Sequence, residues 1–384
     1  MSSFSWHLVT SEYPPQPGGV SDYTQLVAAG LAAAGDKVHI WCPSAEGEAP
    51  DIDGVAVHRS LGCFSRSDLR RVDQLLEQFN APRRLLVQWV PHGYGYRAMN
   101  LWFCWWLWKR AHRRGDRVEL MVHEPFLEFR NGWRQITVAF VHRLMTIILL
   151  SAASHVWITI PAWEAYWRPY ALGRKKTFDW LPVVSNISVT DDHPAIKTIR
   201  SRYGAAEGSI IGHFGGYDRH NTRLLLETVY PLISNGSKDT LLLMGKGSEE
   251  VREELIRNHS EMEGRVSATG NLTAPDLSLH LRACDVMLQP YVDGVSSRRG
   301  SMMAALAHGV PVITTSGRFT EPLWAESKAV VLVPVEDVSA LAAATKRLLP
   351  DSAARSNLSR AAKALYGEQF DVKVIIDRLR AAAG

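Results

Sequence analysis

The segment Asp293–Thr315, which reads DGVSSRRGSMMAALAHGVPVITT, holds the residues best suited to bind an anion. Its first half is a loop of small residues with two adjacent arginines, and its second half predicts a short helix over Met302–Ala307 that ends at Gly309. N–H groups at a helix start carry partial positive charge, and guanidinium groups donate paired hydrogen bonds that suit phosphate oxygens. Arg298 and Arg299 therefore predict a cradle for a diphosphate. The competing interpretation is a solvated turn with two surface arginines.

A second candidate is the first strand–helix loop, Glu12–Tyr23, which reads EYPPQPGGVSDY. Three prolines stiffen the approach to Gly18 and Gly19, and a glycine pair permits a positive φ or close backbone contact with a ligand. The following helix is predicted to begin at Ser21 or Asp22. The alternative is a rigid surface turn, since a glycine pair alone is a weak motif.

Composition indicates a globular protein rather than a disulfide-rich, metal-centred or membrane-spanning one. The chain has 384 residues, of which 46% are hydrophobic and 21% charged, enough for two domains with separate cores. The four cysteines are scattered, with no CxxC pair and no histidine cluster at metal-ligand spacing, which predicts free thiols in a reducing compartment.

Neither a secretory signal nor a membrane span is predicted. Met1–Thr10 reads as a first strand and Pro14 follows closely. The longest apolar stretch, Ile136–Ala153, is interrupted at its middle by His142 and Arg143, which favours a buried helix.

Positive charge is concentrated in the first half of the chain, and much of it lies in Arg97–Arg117. Residues 1–185 carry 20 Lys and Arg against 16 Asp and Glu, whereas the remainder is balanced. Arg97–Arg117 holds six basic residues against one acid, together with four tryptophans and a phenylalanine. These aromatics sweep more than half of a helix circumference, which favours a core helix with a basic end. The alternatives are a peripheral element on an anionic membrane surface and, less favoured, a nucleic-acid contact.

Strand and helix patterns alternate along the whole chain and predict an α/β fold with parallel sheets, whose ligands lie beyond the carboxyl ends of the strands. A second series begins near Ser209, and the polar segment Val183–Tyr203 is interpreted as the interdomain link. We place the domains at residues 1–188 and 189–370, followed by a C-terminal helix over about 371–384.

Five segments stand out in order along the chain. They are YPPQPGGVSDY in the first loop, VHE at Val122–Glu124, LLLMGKGS at Leu241–Ser248, VSATGNLTAPDLSLHLRACDVMLQPYVDG at Val266–Gly294, and the AALAHGVPVITT run ending at Thr315. Together they resemble the group 1 glycosyltransferases, which are retaining, nucleotide-sugar-dependent enzymes of the GT-B fold. The resemblance spans essentially the whole chain and implies two Rossmann-like βαβ domains facing across a cleft, with the C-terminal helix returning to the first domain.

The resemblance assigns roles to individual residues. His123 matches the family's histidine near the donor sugar and the scissile bond, although a lone histidine is more often structural. With Arg298 and Arg299 it forms the implied catalytic set, the arginines neutralising the departing diphosphate. The implied donor-binding residues are Gly18, Gly19, Gly216, Arg219, Lys246, Gly270, Asp293, Ser296, Gly300 and Ser301.

The chain also departs from the family's pattern. The family carries two glutamates eight residues apart that hold the donor sugar and the ribose, and Ser296 and Ala304 occupy those positions here. Asp293 is the candidate to take over a hydroxyl contact, and Arg219, His220 or Arg223 the candidate to replace a basic pair. We interpret the two adjacent arginines as a compensating change within a divergent subgroup.

The function implied is transfer of a sugar, with retention, from a nucleoside-diphosphate sugar to a glycan or lipid-linked acceptor. A catalytically inactive scaffold in glycan assembly and a nucleotide-sugar epimerase are the alternatives. A dinucleotide oxidoreductase is disfavoured because no GxGxxG follows the first strand.

No cofactor and no essential metal are expected, and nucleic acid is not an expected partner. An Asp51–Asp53 DxD, the metal-binding mark of the other major glycosyltransferase fold, precedes Gly54 in a polar turn and predicts a solvated loop. The expected location is cytoplasmic, with peripheral contact at the inner membrane face through Arg97–Arg117 as the further hypothesis.

Overall fold

The computed structural model describes residues 5–129, 132–204, 208–233 and 237–382. They divide into two compact units, one formed by Met1–Pro182 with Val372–Gly384 and the other by Val183–Asp371. The sequence places the same division at 188/189, and the first four and last two residues of the chain lie outside the described ranges.

The first unit is built on a seven-stranded sheet in the order β3-β2-β1-β4-β5-β6-β7, and each neighbouring pair is parallel. Its strands are β1 Ser5–Val9, β2 Lys37–Trp41, β3 Val55–His58, β4 Arg84–Trp89, β5 Arg117–Val122, β6 Ala153–Ile158 and β7 Phe178–Trp180. Its helices before the division are α1 Gly19–Ala33, α2 Arg66–Leu76, α3 Leu101–Arg113, α4 Trp133–Ala152 and α5 Ala162–Trp167.

The second unit is built on a six-stranded parallel sheet in the order β10-β9-β8-β11-β12-β13. Its strands are β8 Ile210–Phe214, β9 Thr240–Met244, β10 Val266–Ala268, β11 Val286–Gln289, β12 Val312–Ser316 and β13 Val331–Pro334. Its helices are α6 His193–Arg202, α7 Arg219–Ile233, α8 Ser248–Asn258, α9 Ala274–Ala283, α10 Gly300–His308, α11 Leu323–Glu326, α12 Val338–Leu348 and α13 Ser352–Leu365.

The predicted α/β class with two parallel sheets is confirmed. Strands covered by helices on both faces become continuous apolar runs, and every residue of β4 and of β9 is buried. This is why the central strands could be located from the sequence.

The segment predicted to link the domains is instead part of the second unit, because it contains α6. Asp192 caps this helix, and Arg200 pairs with Asp285 at 3.1 Å. None of its residues is fully buried, and only Ile196 and Ile199 give it a short apolar pattern, so the periodic signal is weak. The sequence predicts a helix capped by Ser67, but Ser65 caps this helix, α2, in a reciprocal capping box with Asp68.

The last helix, α14 Val372–Ala381, packs against α1 and belongs to the first unit. Gly30 makes room for it, since a Cβ at that position would lie 2.7 Å from the side chain of Ile376. Arg380 pairs with the buried Asp36 at 3.1 Å, and Arg84 donates to the carbonyl oxygen of Leu379 at 3.1 Å.

Candidate functional site

The start of α10 has no side-chain cap among the described residues and borders a cavity of the second unit. Arg299 stands at its N-cap position. The first N–H groups of a helix have no partner within the helix, so those of Gly300 and Ser301 face outward with partial positive charge. Both residues line a cavity of about 1540 Å³.

The two arginines predicted to bind phosphate flank this helix start, and one carboxylate holds both. Arg298 donates to Asp293 Oδ2 at 2.5 Å, and Arg299 donates to Asp293 Oδ1. Arg299 also stacks on the ring of Tyr291 at 4.6 Å, whose hydroxyl is 3.0 Å from Ser301 Oγ. Asp293 thus fixes the geometry of the guanidinium groups and cancels one of their two charges.

The cavity brings together seven of the predicted site residues, all within the second unit. They are Gly216, Arg219, Lys246, Arg298, Arg299, Gly300 and Ser301. Tyr217, Asn221 and Tyr291 also line it and were not predicted. Gly270, Asp293 and Ser296 lie outside the lining, and each has a structural explanation.

Two glycine-dependent loops form one wall of the cavity. Lys246 is exposed between Gly245 and Gly247, whose φ angles of 106° and 89° are in the range that favours glycine. The N–H of Gly245 donates to the carbonyl oxygen of Gly270 at 3.2 Å, and the N–H of Gly270 donates to Ser248 Oγ at 3.0 Å. Gly270 therefore braces the lysine loop instead of lining the cavity.

The start of α7 also borders the cavity, but an internal carboxylate occupies it. Asp218 Oδ1 accepts hydrogen bonds from the N–H groups of His220 and Asn221, both at 3.1 Å. Arg219 is exposed beside this cap. Because the helix N–H groups are already bonded to a carboxylate, the positive contribution of this wall comes from the arginine side chain.

Ser296 is fully buried, and its hydroxyl has no hydrogen-bond partner within the described residues. Its neighbour Ser297 donates to the buried Glu321 from its N–H, at 2.9 Å, and from its hydroxyl. Trp324 Nε1 donates to the other carboxylate oxygen of Glu321 at 2.7 Å. Burial raises the pKa of Glu321 above its ordinary value. This carboxylate supports the arginine loop from beneath, and no motif in the sequence identified it.

His123 follows β5 at the carboxyl edge of the first unit's sheet. Its Nε2 lies 2.8 Å from Gln88 Oε1, and its ring meets that of Tyr23 edge-on at 5.0 Å. Burial lowers the pKa of His123 to about 3. The imidazole is therefore neutral at pH 7 and a poor proton acceptor, which suits hydrogen bonding better than general-base chemistry.

The Gly18–Gly19 loop is extended rather than left-handed, because the φ of Gly18 is 173°. The helix begins at Gly19, two residues before the earlier of its predicted starts. Glu12 Oε1 accepts from the N–H groups of Val20, at 3.1 Å, and Ser21, at 3.0 Å. A side chain at Gly18 would collide with this carboxylate, whereas a Cβ at Gly19 would meet nothing within 4 Å. Glu12 thus occupies the N–H groups of Val20 and Ser21, which follow the two glycines assigned to donor binding.

Comparison with known proteins identifies the cavity-bearing unit. Residues 208–351 match the family model described as glycosyl transferases group 1. The second unit carries a group 1 glycosyltransferase domain. The chain is also 25% identical over 169 residues to the phosphatidyl-myo-inositol mannosyltransferase of Mycolicibacterium smegmatis, a match that covers 43% of each protein.

Solved structures confirm the GT-B fold over the length of the chain. Sucrose-phosphate synthase from Thermosynechococcus elongatus superposes with a TM-score of 0.73 at 18% identity, covering 100% of this chain and 98% of that one. Anabaena HepE in complex with UDP and glucose gives a TM-score of 0.68 at 16% identity, covering 98% and 99%. At these identities the likeness establishes the fold and not the substrates.

Within this glycosyltransferase domain the donors around the cavity suit an anion. Lys246, Arg219, the bridged arginine pair and the uncapped start of α10 all line it. In the described part of the chain no three His, Cys, Asp or Glu side chains are grouped so that they could hold a metal ion. Asp51 and Asp53 are both exposed in a turn that contains Gly54 at φ 79°.

Proposed function

We propose that this protein transfers a sugar from a nucleoside-diphosphate sugar to a glycan or lipid-linked acceptor with retention of configuration. The observation that carries the proposal is the uncapped start of α10 beside Arg298 and Arg299, in a cavity of a group 1 glycosyltransferase domain. A diphosphate bound there would accept hydrogen bonds from backbone N–H groups and from guanidinium groups that Asp293 already holds in place.

The chemistry needs stabilisation of charge more than it needs a strong base. As the bond between the sugar C1 and the phosphate oxygen breaks, its electron pair remains on the diphosphate. The acceptor oxygen bonds to C1, and its proton passes to an oxygen of the departing diphosphate. Fixed positive groups lower the energy of the departing diphosphate without reorganising during the reaction. Neutral His123 would orient a hydroxyl by hydrogen bonding instead of removing the proton.

The names of relatives support the two substrates of the proposal. HepE is described in complex with UDP and glucose, and the mycobacterial relative is named as a mannosyltransferase of phosphatidyl-myo-inositol. A cytoplasmic location with peripheral contact at the inner membrane face is part of the same proposal. The free thiols Cys42, Cys63, Cys104 and Cys284 suit a reducing compartment.

A second candidate function, an inactive partner in glycan assembly, is favoured by the two positions where the family carries glutamates. Ser296 and Ala304 are both fully buried, so neither presents a polar group to the cavity. An inactive descendant would have lost its sugar contacts in this way while keeping the fold.

Calorimetric titration with a panel of nucleoside diphosphates, in the absence of metal, separates the two functions. We expect micromolar binding of one base, weakened in Arg298→Ala and Arg299→Ala and unchanged in Arg360→Ala, which alters an exposed arginine outside the cavity. Release of nucleoside diphosphate from the matching sugar nucleotide on addition of acceptor then demonstrates transfer. Binding without release, with every acceptor tested, supports the inactive partner instead.

A further inference from the structure

The neighbouring helices α3 and α4 of the first unit, together with the loop before α4, expose large apolar side chains to solvent. We name this surface, formed by Trp102 and Trp105 of α3, Phe129 of the loop, and Trp133, Ile136 and Phe140 of α4, the aromatic face. Trp133 is 73% exposed, Phe140 57% and Phe129 54%. Exposed apolar groups of this size and number on a folded domain mark a contact surface.

Helix α3 holds the aromatic residues of the Arg97–Arg117 segment, and the structure buries some of them and exposes others. Phe103 and Trp106 are buried, and Trp106 Nε1 donates to Asp73 at 2.6 Å. Trp102 and Trp105 are on the exposed side. The helix is therefore a core element along one side and part of the aromatic face along the other.

Specific contacts hold the parts of the aromatic face together. The guanidinium of Arg143 on α4 lies 3.8 Å from the ring centroid of Phe129. His142 bridges the same elements, because its Nδ1 accepts from the N–H of Leu127 at 3.2 Å and its Nε2 lies 2.8 Å from the carbonyl oxygen of Ala98. The loop, the start of α3 and α4 therefore present their side chains on a braced scaffold.

The charged side chains of α3 and α4 are all basic. Neither α3 nor α4 contains an aspartate or glutamate, and together they carry five lysines and arginines. Of these, Arg110 is buried against Asp116. Arg134 lies on the Trp133 ring at 5.4 Å, and Arg66 of the adjoining helix lies on the Trp102 ring at 3.4 Å.

Two acids belong to the loop between β5 and α4, and they have local partners. Glu124 lies 3.4 Å from His92 Nδ1, and Glu128 accepts from the Tyr166 hydroxyl at 3.4 Å. The cations of the helices, set among tryptophan and phenylalanine rings, therefore favour an anionic occupant. Tryptophan at headgroup depth with arginine beside it is the composition of a helix that lies in a membrane interface.

A second copy of the chain is the weaker choice of occupant. A two-fold dimer through this surface would place the same patch against itself, and so would bring its cations together. An anionic lipid surface accepts both the aromatic rings and the arginines without that repulsion.

Helix α4 is also less suited to crossing a membrane than to lying on the membrane surface. By length and composition α4 is apolar enough to span, and it is the one such helix among the described residues. However, 39% of its most apolar window is buried inside the protein, and His142 at its middle is bonded to two loops. The exposed apolar residues Trp133, Ile136 and Phe140 recur at helical spacing and therefore lie on one side of α4.

We propose that the aromatic face docks this protein on an anionic bilayer, with Trp133 and Phe140 inserted among the headgroups. In a βα unit the helix begins at the carboxyl edge of its strand, so the starts of α3 and α4 lie at the sheet edge that also carries His123. Docking there brings the bilayer to the acceptor-side edge. This last point rests on the proposed function, whereas membrane binding itself does not.

Vesicle co-sedimentation of the full chain tests the proposal without any nucleotide or acceptor. We expect at least tenfold stronger partitioning at low salt onto vesicles containing 30% phosphatidylglycerol than onto pure phosphatidylcholine. Trp133→Ser with Phe140→Ser should lower that partitioning tenfold or more, and Arg134→Gln should reduce it only on the anionic vesicles. Tyr230→Ser, at a 41% exposed aromatic of the second unit, is the matched control and should bind as the wild type does.

Two results would overturn the proposal. One is a wild-type protein that stays in solution with anionic vesicles at low salt. The other is a dimer in sedimentation velocity that the double variant abolishes while vesicle binding is absent, which would make a second copy the occupant. Because the assay contains no sugar nucleotide, failure here leaves transfer to a soluble acceptor testable by itself.

Discussion

Replacing Arg299 by alanine should weaken binding of the cognate nucleoside diphosphate by roughly tenfold to fortyfold. A hydrogen bond to a charged partner contributes about 1.5–3 kcal/mol, and 1.4 kcal/mol corresponds to about tenfold in affinity. The lower half of that range applies because Arg299 already has a partner in Asp293, so the diphosphate shares a guanidinium that is never free.

Replacing Asp293, the carboxylate that bridges both arginines, tests the same site with a change that should not weaken diphosphate binding. Asp293→Asn keeps the side chain's shape but removes the negative charge that both guanidinium groups face. The positive charge presented to the cavity then rises by one. We expect the diphosphate to bind about as tightly as in the wild type or several-fold more tightly, and the salt dependence of binding to steepen.

Isothermal titration at two salt concentrations, with Arg360→Ala as the control, measures both variants. Each variant is first checked for a native thermal transition, since the arginine loop is part of the fold. Unchanged affinity in Arg299→Ala would refute the placement of the diphosphate. A large loss of affinity in a folded Asp293→Asn would show that orientation of the arginines, and not their net charge, controls binding.

Three further predictions concern stability. Burial lowers the pKa of His7 and His123 to about 3 and that of His213 to about 4. Below pH 6.5 the unfolded chain therefore binds protons that the folded chain does not. The free energy of unfolding should fall by about 2 kcal/mol per histidine between pH 6.5 and 5, as urea titrations would show. Glu321→Ala removes the acceptor of buried donors on Ser297 and Trp324, and should cost about 3 kcal/mol in denaturant unfolding, whereas Glu326→Ala, at the exposed end of the short helix that follows Glu321, should cost almost nothing. Ile376→Ala should lower the stability of the first unit by about 2–5 kcal/mol, and a thermal midpoint equal to the wild type's would contradict the docking of α14.

The sequence predicted the parallel sheets well because their strands are apolar on both faces. The sequence predicts strands over Ile210–Phe214, Thr240–Met244 and Val286–Gln289, and β8, β9 and β11 have these bounds. Helix α6 could not be found this way, since none of its residues is fully buried and its apolar pattern is weak. The boundary error at α1 arises because Glu12, seven residues before the helix start, replaces the usual local cap.

For the candidate site, sequence patterns located the cationic groups and named Asp293, but they did not show that Asp293 bridges the two arginines and they missed Glu321. Arg298, Arg299 and Lys246 line one cavity, as their motifs suggested. Asp293 as a bridge and Glu321 as a support depend on side-chain directions that no spacing encodes. The same is true of the division of α3, where periodicity showed a broad aromatic surface without saying which part the fold would cover.

The return of α14 to the first unit has a consequence for synthesis on the ribosome. Residues 183–371 are translated between the two parts of that unit, so the second unit can fold while the first still lacks its closing helix. Until then the apolar surface around Gly30 and the buried carboxylate of Asp36 lack the cover that Ile376 and Arg380 provide. The nascent first unit therefore exposes apolar surface, which favours aggregation, until the second unit has been translated.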